Sequence, residues 1–518
     1  MVESDCEFGF SGGMKKLRPE DLGPLDRAHI EDLSHDDLVE TCVRLRALAI
    51  EQAERLNRHS GNSSKPPSSN DPYRRGGKGA ADVGGGNENA TKGDAGDKDA
   101  AQARSPGDAP PRPPGHQKGT PGKWRSSPLV AHGEIDHWPE RCTACGRVHL
   151  VAAAARCASA HHVIELDRGN GGIGVTCGLH RYHAVRCCCG HETVAAPGQG
   201  RRSEIEGRCR NLILTERCLV GPALATFIAA LSVRHRQSRE MVQEFLRDWL
   251  GLDLAKGTIC RCIREVGLAC EPVAEALLAE IRAADVLHLD ETPWYQKGHL
   301  RWLWVAVCAT SAVFHIGSRE KTEVAALIGE SFLGWLVTDG YGAYRSHTQR
   351  QRCLAHLIRK AVALQEGIYF EASRFGDWLC RELRALICGV AEDADARTLG
   401  LVVARLKRAC LLNLDADIDK ARALAREILN DWDAVIAFVR NPHLPPTNND
   451  AERALRHAVI SRRISHGTRT DEGSRGYAAA LSVIETCRKR RAKPWDFITR
   501  LLAAARRGAE LPALPACA

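Results

Sequence analysis

The sequence predicts a multidomain α+β protein, and three observations carry that prediction. The chain is 518 residues long, more than one hydrophobic core ordinarily serves, so three or four domains are expected. Its composition is 44% hydrophobic and 26% charged, the balance of a folded, water-soluble chain. Between Asp285 and Tyr344, short aliphatic and β-branched runs read as strands around one helix, while the flanking residues read as helices.

Residues 1–57 form the first unit. Leu38, Leu45, Leu48, Gln52 and Leu56 recur at helical spacings over residues 30–57, with Arg and Glu between them. Two clean heptads fit a short dimerising coiled coil or a helix lying on another domain. Over 58–126 the composition shifts to Gly, Pro, Ser, Asp and Lys, as in RRGGKGAADVGGGNENATKGDAGDKDA. Such a segment buries too little to offset its ordering entropy and reads as a disordered, flexible linker.

Residues 127–200 carry the spaced cysteines. Cys142-Thr-Ala-Cys145-Gly is half of a zinc knuckle, because two thiolates at that spacing grip one tetrahedral ion and the Gly permits the turn. RCCCGH supplies Cys187 and Cys189 as the second half, unless Cys188 or His191 substitutes; Cys157 and Cys177 stay open as ligands. The chain holds 21 cysteines, yet Met1–Met14 lacks a signal peptide's apolar stretch. Gly221 and Pro222 interrupt the apolar run Cys218–Val233, which is too short to span a bilayer. A reducing, nucleoid-containing cytoplasm is therefore expected, with cysteines as free thiols or metal ligands.

Residues 201–284 read as helical, with a helix-turn-helix rhythm. Met241, Val242, Phe245 and Leu246 make one apolar face, Gly251 ends that helix, and a second begins at Lys256-Gly257-Thr258. Arg261 and Arg264 on the second helix would be offered to a DNA groove.

Residues 285–366 contain the chemistry. Val286–Leu289 is an apolar run ending in Asp290 and Glu291; HLRWLWVAVCAT and AVFHIGS follow as strands, KTEVAALIGE as a helix, and FLGWLVTDGYGAY as a strand ending at Asp339. This order, with acids at the ends of the first and fourth strands, is that of a ribonuclease-H-like α/β core. Two carboxylates brought together repel unless a divalent cation neutralises them. Side chains alternate along a strand, so Asp290 and Glu291 cannot share one site. Asp290 is the expected ligand, and Glu291 supports it or lies at the surface. A helical insertion is expected over 367–446. In 447–518, the cluster Thr447-Asn-Asn-Asp signals a helix start, and Asn449, Glu452 and Arg456 share one polar face, which brings a third carboxylate. Between Thr447 and Arg507 there are 14 Lys and Arg against 6 Asp and Glu, an excess equal to the chain's whole net charge of +8. Such a concentration fits a phosphate-backbone footprint or a solvated helical face.

At these residues the chain resembles the transposases of the insertion sequence 66 family. NSSKPPSSN, RPPGHQKGTPG, the paired cysteines, HLDET, VTDGYGAY, CLAHLIRKA and TNNDAERALR look like successive motifs of that family over nearly the whole chain. The resemblance implies an Asp-Asp-Glu triad at Asp290, Asp339 and Glu452, with about 110 residues between the second and third acids. Cys353 and His356 match a Cys-x-x-His motif that supports the triad or contacts DNA in related enzymes. The second cysteine pair is compressed and the linker unusually Gly-rich, departures that leave the triad untouched. The resemblance also implies two small accessory proteins from the same element.

The expected activity is metal-dependent cutting of DNA at terminal inverted repeats and joining to target DNA, by a homodimer that brings two ends together. Two Mg²⁺ (or Mn²⁺) ions about 4 Å apart would stabilise the entering and leaving oxygens. Arg359, Lys360, Arg453 and Arg456 would steady phosphates, Arg488–Arg491 would hold the backbone, and a structural Zn²⁺ would order the cysteine segment. Two rivals remain: a ribonuclease-H-like nuclease that cuts without joining, and a DNA-binding regulator with an inactive core.

Overall fold

The computed structural model describes residues 34–56, 129–149, 155–169, 172–203 and 212–517. The linker expected over 58–126 lies outside them. Helix α1 (His35–Leu56) carries Asp36 and Asp37 in its first turn, where carboxylates oppose the positive end of the helix dipole. Ser34 Oγ accepts the Asp37 amide N–H at 3.2 Å. Leu38, Leu45 and Leu48 are half-buried on this helix, whereas Val39 and Val43 are exposed.

A four-stranded sheet follows. Strands β1 (Gly133–His137), β2 (Ala155–Asp167), β3 (Gly174–Arg186) and β4 (Glu192–Val194) pair around β3, with β1 parallel to it and β2 and β4 antiparallel. On one face His137, His161 and His180 gather around the buried Tyr182 in near-parallel stacks. A short ribbon, β5 (Gln199–Arg202) with β6 (Ile213–Thr215), leads into helices.

Helix α2 (Pro222–Val233) buries eight of its twelve residues, as its nearly all-apolar sequence requires. Its first turn receives the Glu165 carboxylate, which accepts the Leu224 N–H at 2.8 Å. Helix α3 (Arg239–Leu250) starts at Ser238, whose hydroxyl accepts the Met241 N–H, and stops at Gly251 with φ 63°. Only Val242 and Leu246 of its expected apolar face are buried; Met241 is exposed, as is Trp249.

Helix α4 (Lys256–Arg282) is 27 residues long and sits inside the molecule, with Ile259, Cys262, Val266, Ala269, Cys270, Val273, Leu277 and Ile281 buried. A groove-reading helix would need a free polar face. Here Arg261 pairs with Glu265 at 2.7 Å, and Arg264 makes a two-pronged pair with Glu472 at 2.9 and 2.6 Å.

The second sheet has five strands in the order β11–β10–β7–β8–β9: β7 (Val286–Gln296), β8 (His299–Val307), β9 (Ala312–Gly317), β10 (Trp335–Thr338) and β11 (Arg350–Arg352). The first three form an antiparallel meander, while β10 and β11 run parallel to β7. Lys297 and Gly298, both at positive φ, make the tight turn between β7 and β8. Helix α5 (Lys321–Ile328) crosses from β9 to β10, and a 3₁₀ turn (Gly342–Ser346) follows β10. One sheet face buries Leu287, Leu289, Trp304, Ala306 and Leu336 against Leu277 and Ile281 of α4, Leu327 of α5 and Tyr344.

Helix α6 (Leu354–Gln365) leaves β11 and begins a helical layer of α7 (Phe370–Ala391), α8 (Ala396–Leu411), α9 (Asp419–Asn430) and two single turns, α10 (Trp432–Val435) and α11 (Ala437–Arg440). These share an apolar core that includes Leu357, Leu379, Leu383, Leu406, Leu424 and Phe438. Three helices close the chain: α12 (Asn449–Ser465), α13 (Asp471–Lys489) and α14 (Pro494–Arg507). Helix α13 covers the outer edge of β9, where Ser482 and Thr486 hydroxyls accept the Phe314 and Ala312 N–H groups. It crosses α4 so closely that a Cβ on Gly267 would stand 2.7 Å from Gly476 Cα. Among the described residues no helix is long and apolar enough to cross a membrane.

Candidate active site

Strand β7 is longer than its sequence suggested. It continues past Asp290 through Thr292, Pro293 and Trp294, paired with β8 along its whole second half. The extension is held from outside the sheet: Arg462 donates to Thr292 Oγ1 at 3.0 Å and Trp294 donates to Thr468 Oγ1 at 3.1 Å. Pairing with β10 ends at His288. Asp290 therefore lies in mid-strand, but at the place where its parallel neighbour has stopped and Asp339 follows.

There the three acids are near enough for Asp339 and Glu452 to act on the charge of Asp290. Burial, then the charges of Asp339, Glu291 and Glu452, push the Asp290 carboxyl well above the usual carboxylate range. Asp290 Oδ1 accepts the Glu291 N–H, and Asp339 Oδ1 accepts the Tyr341 N–H at 2.8 Å, which fixes the turn after β10. Glu452, on the first turn of α12, is held by Arg359 Nη2 at 3.2 Å and stands 3.7 Å from His356 Nδ1. Its neighbours Arg453 and Arg456 are exposed. Lys360 is turned away into an ion pair with Glu427.

Glu291 is not a surface residue. Its side chain is 2% exposed, takes a hydrogen bond from Tyr344 Oη at 2.6 Å, and pairs with Arg319 at 2.9 Å. Arg319 is sandwiched between the rings of Trp302 and Tyr341 at 4.0 and 4.1 Å. Burial, then the charge of Asp339, raises the Glu291 carboxyl above its ordinary value. Alternation along β7 was informative, since Asp290 and Glu291 do project to opposite sides. The sequence offered no sign of Arg319.

The junction of these elements is Asn448, which is fully buried. Its Nδ2 donates to Leu289 O at 2.7 Å, and its Oδ1 lies 3.1 Å from His288 Nδ1, which must therefore carry the proton. Its backbone N–H donates to Cys353 Sγ at 3.2 Å, while the Cys353 N–H donates to Thr338 O at 2.8 Å. One asparagine thus ties the residues preceding Asp290 to the start of the helix bearing Glu452, and through Cys353 to the residue before Asp339. Asn449, singled out from the sequence, is exposed.

A second buried device lies behind Asp339. Arg352 is 2% exposed, donates to Glu427 at 2.5 Å, and lies flat over Gly340, where any Cβ would overlap its guanidinium. Any larger residue at position 340 would require the Arg352 guanidinium to shift.

The cysteines form a separate centre. Cys142 and Cys145 follow β1, and Cys187 and Cys189 occupy the turn between β3 and β4. Each pair is followed by a Gly at positive φ, Gly146 and Gly190. The four Sγ atoms lie within 4.8 Å of one another, with Cys142 to Cys189 at 3.7 Å and Cys145 to Cys187 at 3.6 Å. Sulfurs tetrahedrally bound to zinc stand about 3.8 Å apart, so the cage has the size that ion needs. The N–H of Cys145 outweighs burial and, with the N–H of Ala144, holds the Cys142 thiol down to about 6. Cys188 accepts from Arg147, His191 pairs with Thr143, and Cys157 is exposed away from the group.

The chain is similar to two uncharacterized proteins of Sinorhizobium fredii (strain NBRC 101917 / NGR234). It is 23% identical to y4qI over 324 residues, 56% of this chain and 59% of the relative. It is 25% identical to y4jD over 293 residues, 49% and 56% respectively. The chain thus spans between half and three-fifths of the length of these curated relatives. Residues 217–476, half of the chain, include all three acids and match the family described as Transposase IS66 family. The chain belongs to the Transposase IS66 family.

Proposed function

We propose that this transposase cuts DNA at the ends of its element and joins them to target DNA at one site made by Asp290, Asp339 and Glu452. The observation that carries the reading is the convergence of these acids, from positions 162 residues apart in sequence at the extremes, at one end of the mixed sheet. The sheet order, an antiparallel meander with two parallel strands beside its first, supports a ribonuclease-H-like core. The donor set is all oxygen, as Mg²⁺ or Mn²⁺ requires, and the burial, with the repulsion of neighbouring acids, that raises Asp290 is what a bound divalent cation would offset.

When bound, such ions would make water or a 3′-hydroxyl nucleophilic and stabilise the oxygen that leaves. The protein's own residues hold the acids in place. Asn448 sets the distance between β7 and α12, the Tyr341 amide fixes Asp339, and Arg359 restrains Glu452. Arg456, exposed, and Arg453, exposed and only loosely paired with Asp450 at 3.7 Å, lie beside Glu452 to meet phosphate oxygens. Zn²⁺ in the four-thiol centre would pin the end of β1 to the β3–β4 turn.

The test is incubation of the protein with Mg²⁺, a labelled element-end duplex and a target plasmid, beside Asp290→Asn and Glu452→Gln. Joined product that vanishes in both variants supports the reading. Nicking without joining would make the protein a nuclease, and binding without nicking would make it a regulator.

A further inference from the structure

Glu452 faces a second set of ligand atoms besides the aspartates. We propose that Cys353, His356 and Glu452 bind one soft divalent transition-metal ion, Zn²⁺ by the chemistry of the donors, and that this ion competes with the catalytic cation for Glu452. Cys353 Sγ, a His356 ring nitrogen and a Glu452 carboxylate oxygen all lie within 4.8 Å of one another. His356 Nδ1 and Glu452 Oε1 are 3.7 Å apart, too far for a hydrogen bond, and both atoms are buried with no hydrogen-bond partner. Two buried polar atoms left unsatisfied are costly unless something sits between them. Nitrogen and oxygen ligands of a tetrahedral zinc ion stand about 3.4 Å apart, close to the spacing seen.

The three donors arrive by construction. Cys353 caps the N-terminus of α6, and His356 follows three residues on, so both side chains leave the same side of the first turn. Helix α12 brings Glu452 across to them, while Arg359 keeps its other oxygen. Sulfur and imidazole select zinc over magnesium, whose ligands are oxygen. Three protein ligands leave a fourth position open, and the side chains of His356 and Glu452, 19% and 27% exposed, give an entry path. An ion held here commits Glu452 Oε1, so Zn²⁺ would oppose the Mg²⁺-dependent reaction; only this consequence rests on the reading of Asp290, Asp339 and Glu452 as the catalytic site.

The test uses the full chain with its four-thiol centre first filled with Zn²⁺ and the excess removed. Co²⁺ is then titrated in excess Mg²⁺. Wild type should take up one further Co²⁺ with a thiolate-to-cobalt charge-transfer band. The band should be missing in Cys353→Ser and, with ligation broken at His356, at least about 100-fold weaker in His356→Ala. Exchange of Co²⁺ into the four-thiol centre is common to all three proteins and cancels in the difference spectrum. Asp290→Asn should keep the band even where joining is lost, which separates this site from the catalytic reading. No difference band, or one undiminished in both variants while circular dichroism shows them folded, overturns the site. A band present in wild type together with joining that Zn²⁺ does not inhibit overturns the competition.

Discussion

Replacing Asn448 with Ala removes the side chain that ties β7 to α12, and the structure fixes what is lost. The amide donates to Leu289 O and accepts from His288 Nδ1 in a fully buried setting. Stranding two buried groups at about 1–3 kcal/mol each predicts a loss of about 2–6 kcal/mol. The start of α12 also loses its registration on the strand carrying Asp290, and a displacement of about 1 Å at a reacting centre costs about 100-fold in rate. Asn448→Asp should do no better, since it keeps an acceptor for His288 but brings a charge into the core and has no donor for Leu289 O. Asn449→Ala, at an exposed position in the same dipeptide, should change stability by no more than about 0.5 kcal/mol. Thermal melts followed by circular dichroism give the first quantity, and joined product per unit time with Mg²⁺ the second. An Asn448→Ala protein that melts with the wild type and joins at its rate would refute the role given to this residue.

Gly340→Ala should cost about 1–3 kcal/mol, because its methyl group must push Arg352 off Glu427; a melt indistinguishable from wild type would show that the guanidinium can move freely. Buried His457, whose Nε2 hydrogen-bonds to the Arg234 carbonyl, is pushed down to about 4 from 6.5, chiefly by burial. It is neutral in the folded chain, so its contribution is complete above pH 6.5 and falls by about 3 kcal/mol as pH drops to about 4. His457→Asn should flatten that part of the stability profile, and a profile as steep as wild type would count against it. Cys142→Ser should abolish binding of one zinc ion per chain and lower the melting temperature of the β1–β4 sheet, measured by metal analysis after gel filtration alongside calorimetry.

Reading the sequence was most effective where local chemistry and chain order coincide. The strand order around Asp290 and Asp339 follows from runs of Val, Leu and Trp bounded by turns, and the thiol pairs advertise themselves by spacing and a following Gly. The length of β7 was hidden because Pro293 looks like a strand terminator, whereas Arg462 and Thr468, some 170 residues later, hold the strand on beyond it. The choice between Asn448 and Asn449 was equally invisible: helical periodicity picks the residue sharing a face with Glu452, but burial against β7 picks its neighbour. Glu291 illustrates the same limit. Alternation excluded it from the side of Asp290 but could not reveal that Arg319, Trp302 and Tyr344 would close over it, because these come from three separate elements.

Charge is the property that sequence segments misstate most, and this sharpens where DNA should be held. The basic excess between Thr447 and Arg507 is counted without the acids that neutralise it from elsewhere. Arg506 is buried in a pair with Glu265, and Arg490 is buried against Glu280, both acids on α4; Arg462 is spent on strand β7. Those arginines are scaffold. Arg453, 75% exposed with a distant partner at 3.7 Å, and Arg456, also exposed, flank Glu452 and remain open to phosphate. Arg453→Ala and Arg456→Ala should therefore each lower the slope of log affinity against log salt by about 1 while leaving the melting temperature unchanged. Arg490→Ala should do the reverse, costing about 1–3 kcal/mol of stability by stranding the buried Ser311 hydroxyl and the carbonyls that Arg490 holds, with the salt slope of the surviving folded protein intact. If Arg490 instead changed the slope, and the two exposed arginines did not, the phosphate footprint would lie on the C-terminal end of α13 and not beside Glu452.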